Sequence, residues 1–297
     1  MGKYSITEVK DANQINPNVI YNRFDLFEGE HNYKIFHYTD QNLDFSFEVL
    51  FSRYSAKLGI WLMNIDQTTL RNITAFIFKY DRKIRYVQYE NSYISIGTAQ
   101  QGNHFRIELP ENMEELDKRL SSKGRYNIRR EKRILEQDFG EYSIHRCSAA
   151  SAEAEVLWNM YFKFKEKTHD HSYDMSPDQY CYHFHVTDIY SLCVGAEKRV
   201  IALILSCEQC PVVYIENLSY DLDYARYSPG QVLYDEYLKM LIANDVKEIF
   251  LLGGDYDYKR RYGSIEETIY TGSVHRYEFI KSIWKKIRQI GQGNKKQ

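Results

Sequence analysis

The segment Ser228-Pro229-Gly230-Gln231 has the composition of a helix that begins beside an anion-binding loop. Ser228 suits the N-cap, Pro229 the first helical position, and Gln231 would close a capping box. The first amides of a helix have no partner inside it, and the helix dipole adds about half a positive charge there. Gly230 has no side chain that would block a ligand. These residues predict a phosphate cradle, although a capped helix that binds nothing would carry the same pattern.

A dense basic segment lies near the middle of the chain. Its cations could contact nucleic acid, meet an anionic substrate from a linker helix, or simply form a solvated face. We favour the linker helix for the segment as a whole and a solvated position for any single residue. The segment contains Lys118, Arg119, Lys123, Arg125, Arg129, Arg130, Lys132 and Arg133.

Histidines and cysteines form two short clusters that look like metal-binding motifs. Zinc needs three or four ligands that converge at about 2 Å. Two His-x-His pairs that straddle a proline turn arise easily by chance, and a single Cys-x-x-Cys pair lacks the second pair of a zinc site. We therefore expect no metal. The residues concerned are His169, Asp170, His171, His183, His185, Cys207 and Cys210.

The composition is that of a globular protein with one large domain or two medium domains. Of 297 residues, 43% are hydrophobic and 27% are charged, which allows a sizeable core. The formal net charge of −2 does not attract the chain to nucleic acid or to an anionic membrane. No apolar run reaches the roughly 20 residues that span a bilayer, and the N-terminus lacks a signal-peptide core. Five cysteines do not suggest a disulfide framework, so we expect a cytoplasmic protein.

The elements that must position these residues follow a mixed order of helices and strands. In the first third, strand patterns at Tyr33–Thr39, Phe45–Phe51, Lys57–Met63 and Ile84–Gln88 surround one helix at Thr68–Tyr80. Two helical stretches follow Pro110, interrupted by Gly124. The whole order predicts an α+β fold with a mixed, mostly antiparallel sheet and an αβ crossover near the end. The segments of the second half are Tyr142–Arg146, Ala152–Lys167, Pro177–Phe184, Leu192–Ala196, Val200–Ser206, Val212–Leu218, Pro229–Ala243 and Glu248–Leu252.

The two halves share a weak internal repeat. Six positions of a helix–turn–strand segment in the first half match six positions in the second half at one constant offset. Two lobes with one ancestral plan would explain the match, and so would chance similarity. The matched positions are Ile73, Phe76, Ile77, Asp81, Lys83 and Val87 with Tyr237, Met240, Leu241, Asp245, Lys247 and Leu251.

The order and spacing of these segments resemble one branch of the GNAT superfamily. It is the branch of acetyltransferase-like proteins associated with cellulose and exopolysaccharide synthesis (CelD-like), relatives of the Fem-type peptidoglycan aminoacyltransferases. The resemblance runs from about Ser121 to Gly263, whereas the N-terminal third matches only in general plan. The residues that carry it are Ser121-Ser122-Lys123-Gly124-Arg125, Ile128-Arg129-Arg130, Tyr220-Asp221, Ser228-Pro229-Gly230, Gly253-Gly254-Asp255 and Tyr258-Lys259.

The resemblance implies a GNAT fold in two tandem lobes, with a coenzyme A thioester as the acyl donor. The sheet would be splayed, and pantetheine would lie against the fourth strand, Val212–Leu218, including Asn217 and Leu218. The pyrophosphate would lie on the loop and helix start formed by Tyr227, Ser228, Pro229, Gly230 and Gln231. Many GNAT members have a Gln/Arg-x-x-Gly-x-Gly/Ala loop there, which this chain lacks. The departure leaves open whether the donor is coenzyme A, an acyl carrier protein or aminoacyl-tRNA.

The resemblance also assigns roles in acyl transfer. A thioester is already activated, so positioning supplies much of the rate, but an amine acceptor must lose a proton. Glu216, on the strand that would hold pantetheine, is the first candidate base, and Asp221 is the second. Lys259 or Tyr258 would protonate or stabilise the leaving thiolate, or hold the oxyanion. For the two carboxylates the alternative is a role at the surface or as a helix cap, and for Lys259 it is a solvated position at the start of a basic helix with Arg260 and Arg261.

We therefore expect an N-acyltransferase that moves an acyl group, with acetyl as the leading choice, from acyl-CoA to an amine of a small molecule, glycan or peptide. The expected domains are a degenerate GNAT-like lobe at residues 1–110, basic connecting helices at 111–140 and the acyltransferase domain at 141–297. The first lobe has Ile65-Asp66 where the second has Pro229-Gly230, so it should bind no phosphate. Two alternatives stay open: a Fem-like aminoacyltransferase that uses aminoacyl-tRNA, and an inactive GNAT fold that acts as a binding module.

Overall fold

The computed structural model forms two compact units, one from residues 1–102 with 268–297 and the other from residues 103–267. Two strands, β6 (Thr98–Glu108) and β12 (Ile265–His275), run across these limits. The domain boundaries expected at residues 110 and 140 stay a prediction. The structure describes residues 4–9, 33–59, 65–169, 186–209, 212–251, 257–282 and 284.

The first unit contains a four-stranded antiparallel ladder and one crossover helix. Strands β1 to β4 pair antiparallel in chain order, and helix α1 (Gln67–Tyr80) then connects β4 to β5, which pairs parallel to β4. β12 pairs antiparallel with the other edge of β5. The strands are β1 (Ser5–Val9), β2 (Tyr33–Thr39), β3 (Asp44–Phe51), β4 (Ser55–Gly59) and β5 (Tyr86–Ser92).

Helix α1 begins at a side-chain cap and buries one face. The Asp66 carboxylate accepts a hydrogen bond from the backbone N–H of Thr69, with 2.6 Å between the two atoms, which satisfies one of the free amides at the helix start. Leu70, Ile73 and Ile77 follow at helical spacing and are fully buried. They pack with aromatic side chains of β2 and β3, so this unit has a core of its own.

The second unit repeats this plan and adds helices. Strands β7 to β10 form an antiparallel ladder, helix α5 connects β10 to the parallel strand β11, and β6 pairs antiparallel with β11. The strands are β7 (Tyr142–Ser148), β8 (Asp188–Val194), β9 (Arg199–Gln209), β10 (Val212–Tyr220) and β11 (Glu248–Phe250). The helices are α2 (Met113–Arg119), α3 (Ser122–Phe139), α4 (Ala154–His169), α5 (Pro229–Ala243) and the short α6 (Asp257–Arg260), with a 3₁₀ helix at Leu222–Tyr227.

Helices cover both faces of the sheet in the second unit. Leu203 and Leu205 of β9 pack with Trp158 of α4, whereas Ile204, which points to the other face, packs with α3 and α5. Nine of the 15 residues of α5 are buried, so this helix is enclosed along most of its length. The two strands that α5 connects are therefore held from one side by a largely buried helix.

The internal repeat corresponds to the same structure in both units. Ile73 and Ile77 of α1 are buried, and so are their matches Tyr237 and Leu241 of α5. In each unit the matched helix links the two strands of a parallel pair. The observed class is the one predicted, an α+β fold with a mixed and mostly antiparallel sheet, and the shared crossover favours the two-lobe plan.

Some predicted elements differ from the structure. Gly124 does not interrupt a helix: it lies in the first turn of α3, where its N–H donates to the Ser121 hydroxyl at 3.0 Å. A Cβ on Gly124 would lie 3.3 Å from that hydroxyl oxygen, so close approach of the cap explains the glycine. Strands β6 and β12 were not predicted, because their polar residues and glycines have low strand propensity. The predicted helix at Pro177–Phe184 lies outside the described residues.

Candidate active site

Strand β10 leaves its parallel neighbour part-way along its length. Residues 212–214 pair with β11, which ends at Phe250, whereas β10 continues to Tyr220. On its other edge β10 stays paired with β9 to its last residue. Among the described residues, the strand pairing of residues 215–220 is with β9, and we call the opposite side of this segment the free edge of β10. An extended ligand could pair with this free edge.

The free edge begins at an irregularity in the strand. The register of β10 against β9 shifts between Ile215 and Asn217, so Glu216 is the extra residue of a β-bulge. Bulges of this kind bend a strand and occur often beside active sites. Asn217 and Leu218 follow on the free segment and are half-buried. The side chain of Glu216 lies outside the described part of the structure, so its role as a base stays a prediction.

Gly230 lies where helix α5 approaches β10 most closely. A Cβ on Gly230 would meet Cδ2 of Leu218 at 2.8 Å and Cδ1 of Tyr220 at 3.3 Å. Pro229 and Gly230 are both buried. Packing of the helix on the strand therefore explains the glycine, and the expectation that it also leaves room for a ligand stays a prediction.

The start of α5 differs from the predicted capping box. Ser228 is the N-cap residue, but its backbone is left-handed (φ 50°, ψ 48°) and its side chain makes no capping hydrogen bond. Its carbonyl oxygen accepts hydrogen bonds from the N–H groups of Gln231 (2.9 Å) and Val232 (3.2 Å). Pro229 has no N–H to offer. The first turn thus presents the Gly230 N–H and the helix dipole, which is a poorer anion site than the sequence predicted.

Tyr227 anchors the loop that precedes α5. Its ring is 2% exposed and packs on Phe139 with ring centroids 5.1 Å apart. Its hydroxyl donates to the carboxylate of Asp138 at 2.7 Å, and Arg226 pairs with the same carboxylate at 3.1 Å. These contacts tie the loop to the end of α3, so Tyr227 is already engaged by the protein.

A carboxylate from α3 faces the start of α5. Glu131 lies beside the Ser228 hydroxyl, and its Oε2 is buried without a hydrogen-bond partner in the described part of the chain. Burial raises the pKa of Glu131, against the opposing effects of the Ser228 hydroxyl and of the cations Arg261 and Arg130. A negative charge at a helix start stabilises the helix, but it competes with any anionic ligand there.

Asp221 is also engaged by its neighbours. It is 6% exposed, and it caps the 3₁₀ helix by accepting a hydrogen bond from the N–H of Asp223 at 3.2 Å. It also forms an ion pair with Lys167 at 3.1 Å. The capping alternative considered for this residue is therefore sufficient to explain it.

Lys259 and Tyr258 lie on the helical turn that follows β11. Lys259 is 3% exposed, and its Nζ donates to the backbone carbonyl of Leu251 at 2.6 Å. Burial lowers the pKa of Lys259 to about 8. The ring of Tyr258 packs against that of Tyr234 with centroids 5.4 Å apart. An amine with this pKa can donate or accept a proton near neutral pH, a property that the sequence alone did not indicate.

Several buried charged groups of the second unit were missed by sequence reasoning. His104 stacks on Phe250 at 5.2 Å and contacts Glu267 at 3.0 Å, and Glu267 also pairs with Arg106 at 3.3 Å. Lys165 of α4 is buried, and burial lowers its pKa to about 8. None of these residues belongs to a motif. A charged residue among apolar neighbours was the one available signal.

In the part of the chain that the structure describes, no three His, Cys, Asp or Glu side chains converge as metal ligands. Residues 170–185 and Cys210, where most of the candidate ligands lie, are outside that part. Cys207 is buried. The expectation of no metal stays a prediction.

A family comparison bears on this arrangement. Residues 122–260 match the family described as an acetyltransferase (GNAT) domain. The chain contains a GNAT acetyltransferase domain. The match spans α3, the free edge of β10, the start of α5 and Lys259, whereas His104, Arg106 and Glu267 lie outside it.

Two solved structures have a similar fold. The crystal structure of FemX superposes with a TM-score of 0.60 at 8% sequence identity, over 88% of this chain and 92% of FemX. The structure of L-PGS from Bacillus licheniformis gives a TM-score of 0.50 at 12% identity, over 78% of this chain and 81% of that one. Identities this low establish similarity of fold and nothing further. No curated protein sequence matches the chain significantly.

The GNAT domain makes the chain a transferase of acyl groups, the EC 2.3.1 class. Its place in the CelD-like branch and its location in the cytoplasm stay predictions. None of the helices described in the structure is long and apolar enough to cross a membrane.

Proposed function

We propose that the GNAT domain transfers an acyl group from an acyl-CoA thioester to an amine. The observation that supports this most directly is that β10 leaves β11 after Tyr214 and continues to Tyr220, so that an extended pantetheine arm could lie along this part of the strand. Asn217 and Leu218 would flank that arm. The acceptor would be an amine of a small molecule, a glycan or a peptide, held near the carbonyl end of the arm.

The reaction requires that one proton leave the amine and one reach the sulfur. The amine nitrogen attacks the carbonyl carbon, the C–S bond breaks, and an amide and a thiol result. We assign proton removal to Glu216, at the bulge, because Asp221 is already bound to Lys167. We assign protonation of the thiolate to Lys259, whose pKa of about 8 suits a donor near neutral pH, with its neighbour Tyr258 as the alternative.

The donor phosphates would lie at the start of α5, along residues 227–231. The dipole of a 15-residue helix and the Gly230 N–H favour an anion there. Glu131 opposes it, and few other amides are free. We therefore expect most of the donor affinity to come from the pantetheine arm.

Thermal melts of the full chain with a panel of acyl-CoAs test the proposal. A ligand at 100 times its dissociation constant stabilises by about 2.7 kcal/mol, which a melt resolves. We expect acetyl-CoA to raise the melting temperature and to release thiol when an amine is added. Acetyl-pantetheine, which lacks the nucleotide phosphates, should bind within roughly tenfold of acetyl-CoA, or 1.4 kcal/mol. The absence of both a melting-temperature shift and thiol release at millimolar acyl-CoA would contradict the proposal.

A second candidate is Fem-like transfer from aminoacyl-tRNA. The specific observation in its favour is the Glu131 carboxylate at the start of α5, which opposes a diphosphate. Exposed cations of α3, among them Arg129, Arg130 and Arg133, would be available to RNA phosphates. Two results together would favour this candidate: tRNA binding that weakens steeply with salt, and no melting-temperature shift with acyl-CoA.

A further inference from the structure

Three cations of α3 lie on one face of the helix. Arg125, Arg129 and Lys132 are spaced four and three residues apart, which places them one above another over two turns. Ile128, on the same face, is buried in the core that α3 shares with α5. The face is therefore directed at the middle of α5 rather than at its start.

A pocket of about 110 Å³ lies between this face, the end of α2 and the middle of α5. A single water needs roughly 10–15 Å³ measured in this way, so a larger group fits. Four cationic side chains and two carboxylates line the pocket: Arg125, Arg129, Lys132, Lys239, Asp117 and Asp235.

Asp235 forms the floor of the pocket and holds the two lysines in place. Its side chain is 2% exposed, accepts a hydrogen bond from the Tyr262 hydroxyl at 2.8 Å, and pairs with Lys239 at 2.9 Å and with Lys132. Burial acts to raise the pKa of Asp235, but Lys132 and Lys239 outweigh it and keep the pKa below its usual value. The floor carboxylate is thus ionised, and both ammonium groups are fixed beside it.

The two arginines differ in what they already bind. Arg125 donates to the backbone carbonyls of Asp117 (3.1 Å) and Leu120 (2.5 Å), which fixes its guanidinium at the end of α2. Arg129 is exposed, and its side chain makes no hydrogen bond or ion pair within the residues that the structure describes. Like charges four residues apart destabilise a helix, so an anion between Arg125 and Arg129 would relieve their repulsion.

We infer that this pocket binds a phosphate group of an organic ligand. Glu236 also pairs with Lys132, and the cluster still keeps a net positive charge when Glu236 is included. The planar guanidinium of Arg129 matches two oxygens of a phosphate, and fixed lysines supply point charges behind it. Asp235 lies six residues beyond Pro229, roughly 9 Å along α5, so the site is distinct from the start of that helix. The inference does not depend on acyl transfer.

The test is calorimetric titration of the full chain with inorganic pyrophosphate at constant ionic strength, with chloride as the balancing anion. Arg129→Ala should weaken pyrophosphate binding by about tenfold, because one charge-assisted, bidentate contact is lost. Arg133→Ala removes the same charge from an exposed position of the same helix outside the pocket and should change binding by less than about twofold. Alanine is a good helix former, so both variants should fold.

Equal weakening by the two substitutions would overturn the inference, because it would reduce the effect to the general charge of α3. Absence of pyrophosphate binding to the unaltered chain at millimolar concentration would also overturn it. Turnover plays no part in this readout, so failure of the proposed function leaves the result intact.

Coenzyme A and 3′-dephospho-coenzyme A separate two sources of the phosphate. If Arg129→Ala weakens the binding of coenzyme A but not that of 3′-dephospho-coenzyme A, the pocket binds the 3′-phosphate of the donor. If it weakens pyrophosphate binding and leaves both coenzymes unchanged, the pocket takes a separate phosphorylated ligand, such as the acceptor.

Discussion

The two units contain the same strand–helix–strand crossover, but among the described residues the two strands of the parallel pair separate only in the second unit. In the first unit, β4 pairs with β5 along four of its five residues. In the second, β10 pairs with β11 along three of its nine residues. One topology therefore gives a closed parallel pair in the first unit and a free strand edge in the second, and a free edge is what an extended ligand can use.

The starts of the two crossover helices also differ, because only the helix of the first unit, α1, has a side-chain cap among the two. At α1 the Asp66 carboxylate accepts a backbone hydrogen bond and closes the helix end. At α5 the Ser228 side chain makes no such bond, and its backbone is left-handed. Residues other than glycine that are held in this conformation concentrate at functional sites. The helix start of the first unit is thus stabilised by a side-chain cap, whereas the helix start of the second unit lacks one.

Buried charge is also distributed unequally. Among the residues described, the first unit buries one charged side chain, Glu48. The second unit buries five, besides His104: Lys165, Asp188, Asp221, Asp235 and Lys259. Burying a charge is costly unless it is paired, and perturbed groups concentrate at functional sites. The comparison favours chemistry in the second unit and a supporting role for the first.

The largest expected effect is on turnover. Lys259→Ala should lower the turnover number by about 100-fold, in line with the loss of one group that stabilises the transition state. The KM for the donor should change little. Ser95 occupies the corresponding position of the internal repeat in the first unit, and Ser95→Ala should leave turnover unchanged. Steady-state kinetics with both variants measure the contrast.

Two controls separate chemistry from packing at Lys259. Lys259 also holds the Leu251 carbonyl, so melts must show that the variant is folded at the assay temperature. Lys259→Arg should not restore the rate, because the guanidinium is larger and differently shaped. If Tyr258→Phe loses turnover while Lys259→Ala keeps it, the role belongs to Tyr258. If neither matters, the assignment of chemistry to this end of β11 is wrong.

Lys165 tests whether buried charge in the second unit is a cost to stability. Lys165→Met should stabilise the protein at pH 7 by about 2 kcal/mol, because methionine fills a similar volume without a buried ammonium. Burial lowers the pKa of Lys165 to about 8 from an ordinary 10.5, so the unfolded chain binds more protons between these values. Stability should therefore rise with pH across that window in the unaltered chain, and less so in Lys165→Met. Denaturant melts at pH 7 and pH 10 measure both effects.

The outcome at Lys165 also bears on function. A stabilised variant with normal turnover would mean that this buried amine has no part in the reaction. A stabilised variant that loses turnover would add Lys165 to the active site. A variant that is not stabilised would show that contacts such as the approach to the Tyr161 ring, 5.8 Å from Nζ to the centroid, offset the cost of burial.

The helix starts give a smaller contrast. Asp66→Ala should cost about 1 kcal/mol, because it removes a capping hydrogen bond from α1. Ser228→Ala should cost less than about 0.5 kcal/mol in the first turn of α5, because no side-chain cap is lost there and the Ser228 hydroxyl instead contacts Glu131 of α3. Hydrogen exchange of the first turns of both helices, measured beside denaturant melts, assigns each loss to its unit. Equal costs would contradict the distinction between a closed and an open helix start.

Local signals in the sequence were sufficient for much of the fold. Helix α5 runs over Pro229–Ala243, as predicted, because proline at the first position and apolar periodicity both act locally. Strands around the crossover were predicted within a few residues for the same reason. The crossover itself followed from the order of the elements and from the resemblance to the GNAT family.

The candidate site was less predictable because its properties depend on distant residues. The free edge of β10 exists because β11 is short, and the bulge at Glu216 depends on pairing with β9. Ser228 and Gln231 fit a capping box by sequence, yet the backbone at Ser228 is left-handed. Glu131 lies on another helix, α3, and no residue near Ser228 in the sequence predicts that the two side chains meet. Residue types therefore indicated where a site lies but not how its groups are engaged.

The last expected effect concerns Glu131 and distinguishes the two donors. Glu131→Gln removes a negative charge from the start of α5 and keeps the shape of the side chain. If donor phosphates bind there, the affinity for acetyl-CoA should rise by roughly 3–10-fold, as for the loss of one repulsive charge near a helix end, worth about 1 kcal/mol. Acetyl-pantetheine, without the nucleotide phosphates, is the matched control ligand, and its affinity should not change.

The pH dependence of acetyl-CoA binding sharpens the same test. Burial raises the pKa of Glu131, so the carboxyl group is neutral at the acid end of its titration and charged above it. Affinity for acetyl-CoA should then fall as the pH rises through that pKa, and Glu131→Gln should lack this fall. Titration calorimetry across the acid range measures both. If Glu131→Gln leaves acetyl-CoA binding unchanged at every pH, no phosphate lies at the start of α5. The opening of the second unit would then serve only the extended arm of the donor, or a donor such as aminoacyl-tRNA whose phosphates bind elsewhere.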